Sequence, residues 1–134
     1  MLYTREIETE LNGVPSITAE VNEIVKESGV KEGLCIVTVP EGTCGLCITS
    51  FWDKRGLYDL LDEIGHNIPN RISYKNQESP HDASGRVKSA MMGTSKTLII
   101  HEGKLILGSS QGLVFMEFDG PRKRTFQVEI VEKA

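Results

Sequence analysis

The stretch that most restricts the fold is RTFQVEIVE, residues 124–132. Phe126, Val128 and Ile130 alternate with Thr125, Gln127 and Glu129. A period of two puts the first set on one face of a strand and the second on the other. Just upstream, KTLIIHEGKLILG carries two apolar runs around Glu102-Gly103, which predicts a hairpin. GLVFMEF, residues 112–118, is apolar on both parities except at Glu117. The late part of the chain therefore reads as strands that no crossover helix separates.

The first half supplies helices. Val21, Ile24, Val25 and Ser28 recur at helical spacing, Thr18 is placed to cap the first turn, and Gly29 supplies a left-handed stop. Leu57, Leu60, Leu61 and Ile64 predict a second helix within 54–65, and Val87, Ala90, Met91 and Met92 a short one ending at Gly93. Tyr3, Ile7 and Leu11 share a parity and suggest a first strand. GLCIVTVP reads as a buried strand, after which Pro40-Glu41-Gly42 turns the chain and TCGLCITS runs back. Residues 66–83 are polar, contain two prolines and show little periodicity, as long functional loops do. The expected architecture is α+β, with a mostly antiparallel or mixed sheet and helices packed on one face, in a single domain spanning 1–134.

A net charge of −4 argues against a nucleic-acid partner, which requires a basic face, and PRKR at 121–124 reads as a solvated turn. No apolar run approaches the roughly 18 residues of a membrane helix. The odd count of 3 cysteines, with no signal peptide in evidence, points to a reducing cytosol.

Cys44-Gly45-Leu46-Cys47 has redox or zinc spacing. Such a motif acts at a helix N-terminus, where the dipole lowers a thiol pKa. Here Ile48-Thr49 follows and a turn precedes, so the segment reads as strand. Strand residues three apart point to opposite faces and lie about 10 Å apart, beyond the roughly 7 Å a disulfide allows. The cysteines are read as small packed side chains, with no metal site among them.

Other motifs narrow the chemistry. The sequence contains no G-x-S-x-G elbow, Walker loop or dinucleotide fingerprint, and no residue pattern names a cofactor. His66 and His101 read as surface residues at a helix end and a turn, while His81-Asp82 lies within the long polar stretch. Gly108-Ser109-Ser110-Gln111-Gly112 fits either a plain hairpin loop or a turn whose hydroxyls and amide converge on a ligand. Arg86 and Lys88 suit a phosphate or carboxylate, or equally a solvated surface.

The order of segments resembles the YjbQ-like family, small proteins often described as secondary thiamine-phosphate synthases. The resemblance runs from about residue 5 to 132 and is most specific at QGxxFxEFDGPRxR, matched by Gln111, Gly112, Glu117, Phe118, Asp119, Gly120, Pro121, Arg122 and Arg124. It implies an α+β fold, a homotrimer and a polar pocket at the subunit boundary. Where the family reads V-P-H-T-T-A, this chain reads Val39-Pro40-Glu41-Gly42-Thr43-Cys44. The family's Asn-Glu is Thr49-Ser50, its H-A-H-x-K run is Ser84-Gly85-Arg86-Val87-Lys88, and its Trp before Gln111 is Ser110. A trihistidine metal site is thus replaced, and Glu41 with Arg86 is expected to form an ion pair closing the pocket. His81 is a spatial substitute for one lost imidazole in this reading.

The resemblance implies a transferase joining a pyrimidine diphosphate to a thiazole phosphate, with Glu41, Arg86, Lys88 and Gln111 as its working residues. Thr43, Arg86, Lys88, Ser109, Ser110 and Gln111 would bind the phosphorylated or carboxylate ligand. The alternative is a homotrimer that kept the fold and the anion pocket without the reaction.

Overall fold

The computed structural model describes residues 1–50 and 53–134. In chain order the elements are β1 (Leu2–Glu8), α1 (Thr18–Ser28), β2 (Gly33–Thr38), β3 (Cys44–Ser50), α2 (Lys54–Asn67), α3 (Asp82–Met92), β4 (Ser95–His101), β5 (Lys104–Leu105), β6 (Gln111–Glu117) and β7 (Lys123–Glu132). The fold is α+β, and every strand pairing is antiparallel.

The alternation in β7 organises a five-stranded sheet ordered β1-β7-β2-β4-β5. Phe126, Val128 and Ile130 point into the core, and Cys35 opposes Ile130 on one side and Leu98 on the other. β3 and β6 form a separate two-stranded ribbon. One ribbon face, with Cys44, Leu46, Leu113 and Phe115, packs into the same core as Val21, Ile24 and Val25 of α1. The other face, with Val114 and Met116, joins Phe118 in a second core against Leu57 and Ile64 of α2. A ribbon buried on both sides explains why β6 is apolar on both parities.

The predicted 102–103 hairpin forms between β4 and β5, with Glu102 and Gly103 both at positive φ. Irregular backbone runs between α2 and α3, close to the predicted span. Three local expectations are corrected. The turn at 40–42 does not make a hairpin: β2 is already flanked by β4 and β7, so β3 passes to the other sheet. Thr18 does not cap α1, because its Oγ1 accepts the Leu113 N–H at 2.9 Å, tying the helix to β6. α3 is turned over relative to its apolar residues: Val87 and Met91 are exposed, while Ser84, Gly85, Lys88 and Ser89 are buried. Small side chains let the helix lie close on the ribbon. A Cβ at Gly85 would sit 3.1 Å from the Phe118 carbonyl oxygen and 3.4 Å from the Thr43 side chain.

Candidate functional site

The inverted face of α3 carries Lys88 into the interior. Its side chain leaves the residue only 9% exposed, and Nζ stands 5.8 Å from the centroid of the Phe118 ring. Burial pushes the ammonium's pKa down. Among the described residues no carboxylate pairs with it. Lys88 instead forms part of the wall of a cleft of about 640 Å³ between α2 and α3.

α2 contributes the opposite wall. Tyr58, Asp62 and His66 recur at i, i+4, i+8 and so share one helix face toward the cleft. The His66 Nδ1–H donates to the Asp62 carbonyl at 3.0 Å, which leaves Nε2 as the basic nitrogen. The segment after α2 closes one end with Asn70. Ser84 Oγ donates to Asn70 Oδ1, and Asn70 Nδ2 donates to His81 Nδ1 at 2.7 Å. His81 is therefore two hydrogen bonds from residue 84, where the resemblance puts a lost histidine.

The loop is anchored by Asp82, whose carboxylate accepts the N–H groups of Glu78 at 3.0 Å, Ser79 at 3.1 Å and Ala83 at 2.8 Å. Desolvation opposes ionisation, yet these donors and Arg86 outweigh it and hold the carboxyl at about 2. Arg86 reaches Asp82 at 3.2 Å and also the Asn76 carbonyl. It lies on the loop side of α3, away from Lys88, because residues two apart on a helix do not face the same way.

Glu41 and Thr43 belong to a different assembly. The expected Glu41–Arg86 ion pair does not form: Glu41 Oε1 meets Arg124 Nη1 at 3.2 Å, and Oε2 accepts the Thr125 N–H at 3.2 Å. Thr43 Oγ1 accepts from Arg124 Nη2 at 2.7 Å. Arg124 itself is 4% exposed, so within the PRKR cluster Pro121, Arg122 and Lys123 are solvated and Arg124 is not. Its guanidinium holds Glu117 by Nε to Oε1 at 2.7 Å and Nη2 to Oε2 at 2.6 Å. Thr9 Oγ1 and the Asp119 N–H complete the Glu117 carboxylate at 2.5 and 2.9 Å. Burial raises the Glu117 pKa, but these donors exceed it and the net shift is downward.

Ser109, Ser110 and Gln111 stand apart from both groups. Gln111 folds back on its own turn, its Oε1 accepting the Gly108 N–H at 2.8 Å. Seven residue steps separate it from Phe118, about 23 Å at the usual strand rise. Within one chain, Lys88 alone of the residues assigned to the site from the sequence lines the cleft. Asn12, Tyr58, Asp62 and Asn70 went unrecognised, His66 was read as a surface residue and is exposed, and only the helical spacing of 58, 62 and 66 carried any signal for them.

Cys44 and Cys47 lie on opposite faces of the ribbon, Cys44 in the first core and Cys47 against the second. Burial drives the Cys44 thiol up to about 12 and that of Cys35 to about 11. Among the described residues no three His, Cys, Asp or Glu side chains gather closely enough to hold a metal ion, and no helix is long and apolar enough to cross a membrane.

The sequence profile described as "UPF0047 protein YjbQ-like" matches residues 4–133. The chain belongs to this family. It is 36% identical over 132 residues to the UPF0047 protein MJ1081 of Methanocaldococcus jannaschii, covering 98% of this chain and 94% of that one. It is 31% identical over 135 residues to the UPF0047 protein YugU of Bacillus subtilis, covering 98% and 99%. A crystal structure of a YjbQ/UPF0047 family protein from Clostridium acetobutylicum superposes with a TM-score of 0.91 at 35% identity, over 96% of this chain and 99% of that chain. The YjbQ-like assignment thus covers both sheets, all three described helices and the Lys88 cleft.

Proposed function

We propose that the cleft between α2 and α3 binds a small phosphorylated or carboxylate ligand, with Lys88 as the cation that holds it. The observation that carries this reading is a buried ammonium on a cleft wall with no carboxylate paired to it among the described residues. Burying an unpaired charge costs several kcal/mol, on the order of the penalty for desolvating one ion, and an incoming anion offsets that cost. Asn70 and Asn12 add neutral groups for the ligand's remaining oxygens.

The family resemblance names the first reaction to assay. Attack of a thiazole nitrogen on the methylene of a pyrimidine diphosphate forms the C–N bond and expels pyrophosphate. Lys88 would stabilise the charge growing on that leaving group. In this reading Arg86 and Gln111 reach the ligand only from a neighbouring subunit, which ties catalysis to the homotrimer the family implies. Leu34, Ile99 and Val131 support such assembly, since they adjoin one another across β2, β4 and β7 on the exposed face of the large sheet. The free thiols of Cys35, Cys44 and Cys47 suit a reducing cytosol.

Binding without catalysis is favoured by one specific finding. Glu41, at a family histidine position, is committed to Arg124 and the Thr125 amide rather than to the cleft.

Calorimetry with phosphate, pyrophosphate and thiamine phosphate tests the proposal. Wild-type protein binds at least one of them, and Lys88→Ala loses that binding. No binding at millimolar ligand, or a variant that binds as well as wild type, removes the reading. Light scattering that finds a stable monomer removes the trimer.

A further inference from the structure

The Lys88 cleft continues into a second hollow. That hollow, about 510 Å³, shares Asn12 and Tyr58 with the first. Its floor is apolar, from Leu57, Val14 and Pro15, and Lys54 stands at its rim. The two hollows run along α2 from Lys54 to His66, twelve residue steps that span about 18 Å at 1.5 Å each. The 10–16 segment is fixed as the outer wall, because the Asn12 N–H donates to the Glu117 carbonyl at 3.1 Å and the Phe115 N–H to the Pro15 carbonyl at 2.9 Å.

The trough is graded in chemistry. One end holds Lys88, Asp62, His66 and Asn70 beside apolar Leu61 and Ile64, and the other is mainly aliphatic, with Glu10, Ser16 and Lys54 also in its lining. At the junction Tyr58 is 54% exposed, with a ring available to stack. A bare phosphate would occupy only the polar end. Either hollow alone lies in the size range of pockets for organic ligands, roughly 300–1,000 Å³.

Resting on the reading of Lys88 as an anion-binding cation, we infer that the ligand is an elongated amphipathic anion. Its phosphate or carboxylate head sits at Lys88, and its ring-bearing apolar body passes Tyr58 to lie over Leu57, Val14 and Pro15. Asn12 spans the join between the two parts.

Calorimetry with inorganic phosphate, phenyl phosphate and biphenyl-4-yl phosphate, and with benzoate and biphenyl-4-carboxylate, tests this. Each added ring tightens binding by about tenfold. Tyr58→Ala collapses the ratio of aryl to inorganic phosphate affinity, and Tyr58→Phe preserves it. Lys88→Ala abolishes binding throughout both series.

Equal, Lys88-dependent affinity for all three phosphates overturns this inference and leaves the anion site standing. Aryl phosphates that bind Lys88→Ala as tightly as wild type overturn the placement of the head. Neutral 4-phenylphenol binding as tightly as its phosphate overturns the anionic class. Absence of binding in both series removes the anion site together with the inference.

Discussion

Arg124 and Glu117 form a two-pronged ion pair, at 2.7 and 2.6 Å, between the large sheet and the β3–β6 ribbon. Arg124 shares the inward parity of Phe126, Val128 and Ile130, and Glu117 that of Leu113 and Phe115. The pair thus terminates the hydrophobic core at one end. Thr43, which Arg124 holds, also touches the face of α3 at Gly85, so the pair supports the helix that carries Lys88.

Breaking this pair from one side leaves a buried charge unmatched. Glu117→Gln and Arg124→Met each lower stability by about 3–5 kcal/mol in urea titrations. The double replacement Glu117→Met with Arg124→Met recovers most of that loss, since desolvation is then no longer incurred. Glu117 has a folded pKa below its unfolded value, so its contribution is full above about 4.3 and disappears as pH falls through the folded pKa. Acid titration of wild type therefore shows a loss of stability below about pH 4.3 that Glu117→Gln lacks.

Asp82 makes a separate acid-sensitive joint. Its carboxyl is held at about 2, against an unfolded value of about 3.9, so its anchoring of the loop is complete above 3.9 and lost as pH falls toward 2. Asp82→Asn shortens the exchange lifetimes of the Glu78 and Ser79 amides at neutral pH, read by hydrogen exchange. Unchanged protection would show that the loop is held by other contacts.

The thiols order themselves by environment. Cys35 and Cys44, both fully buried and with pKa values near 11 and 12, resist an aromatic disulfide reagent at pH 8 in the native protein. Cys47, partly exposed, reacts first. All three react in denaturant, and a titre of one would contradict the opposed orientation of Cys44 and Cys47.

Lys88 trades stability for binding. Lys88→Met replaces a desolvated ammonium by a chain of similar length, raises stability by about 1 kcal/mol and eliminates phosphate binding. The lysine's folded pKa lies below its unfolded value, so wild-type stability rises with pH through that interval, and the variant shows no such rise. Thermal melts from pH 7 to 10.5, paired with calorimetry, measure both effects.

How much of this was legible in the sequence follows from the range of each interaction. Phe126, Val128 and Ile130 declared their face through local alternation, and Val21, Ile24 and Val25 through helical spacing; both sets are buried as read. The orientation of α3 was not local. Val87 and Met91 look like a core stripe, yet the ribbon beneath offers Thr43 and the Phe118 carbonyl, which accept only small side chains. Arg124 could have been placed inside by extending the β7 parity two residues back. Lys88 was singled out with Arg86 as a cation suited to an anion and kept by the family resemblance, but its neighbours Tyr58, His66 and Asn70 come from another helix and an irregular segment. No spacing within α3 encodes which residues those are.

The pairing of β1 with β7 has a cost in time. Leu2 lies opposite Glu129, so the earliest strand emerges from the ribosome more than a hundred residues ahead of the partner that covers its inner edge. β2 waits for the same strand. The large sheet therefore closes late and cooperatively, after synthesis of nearly all the residues described, and nascent chains hold unpaired edges that a holdase or rapid dilution would protect.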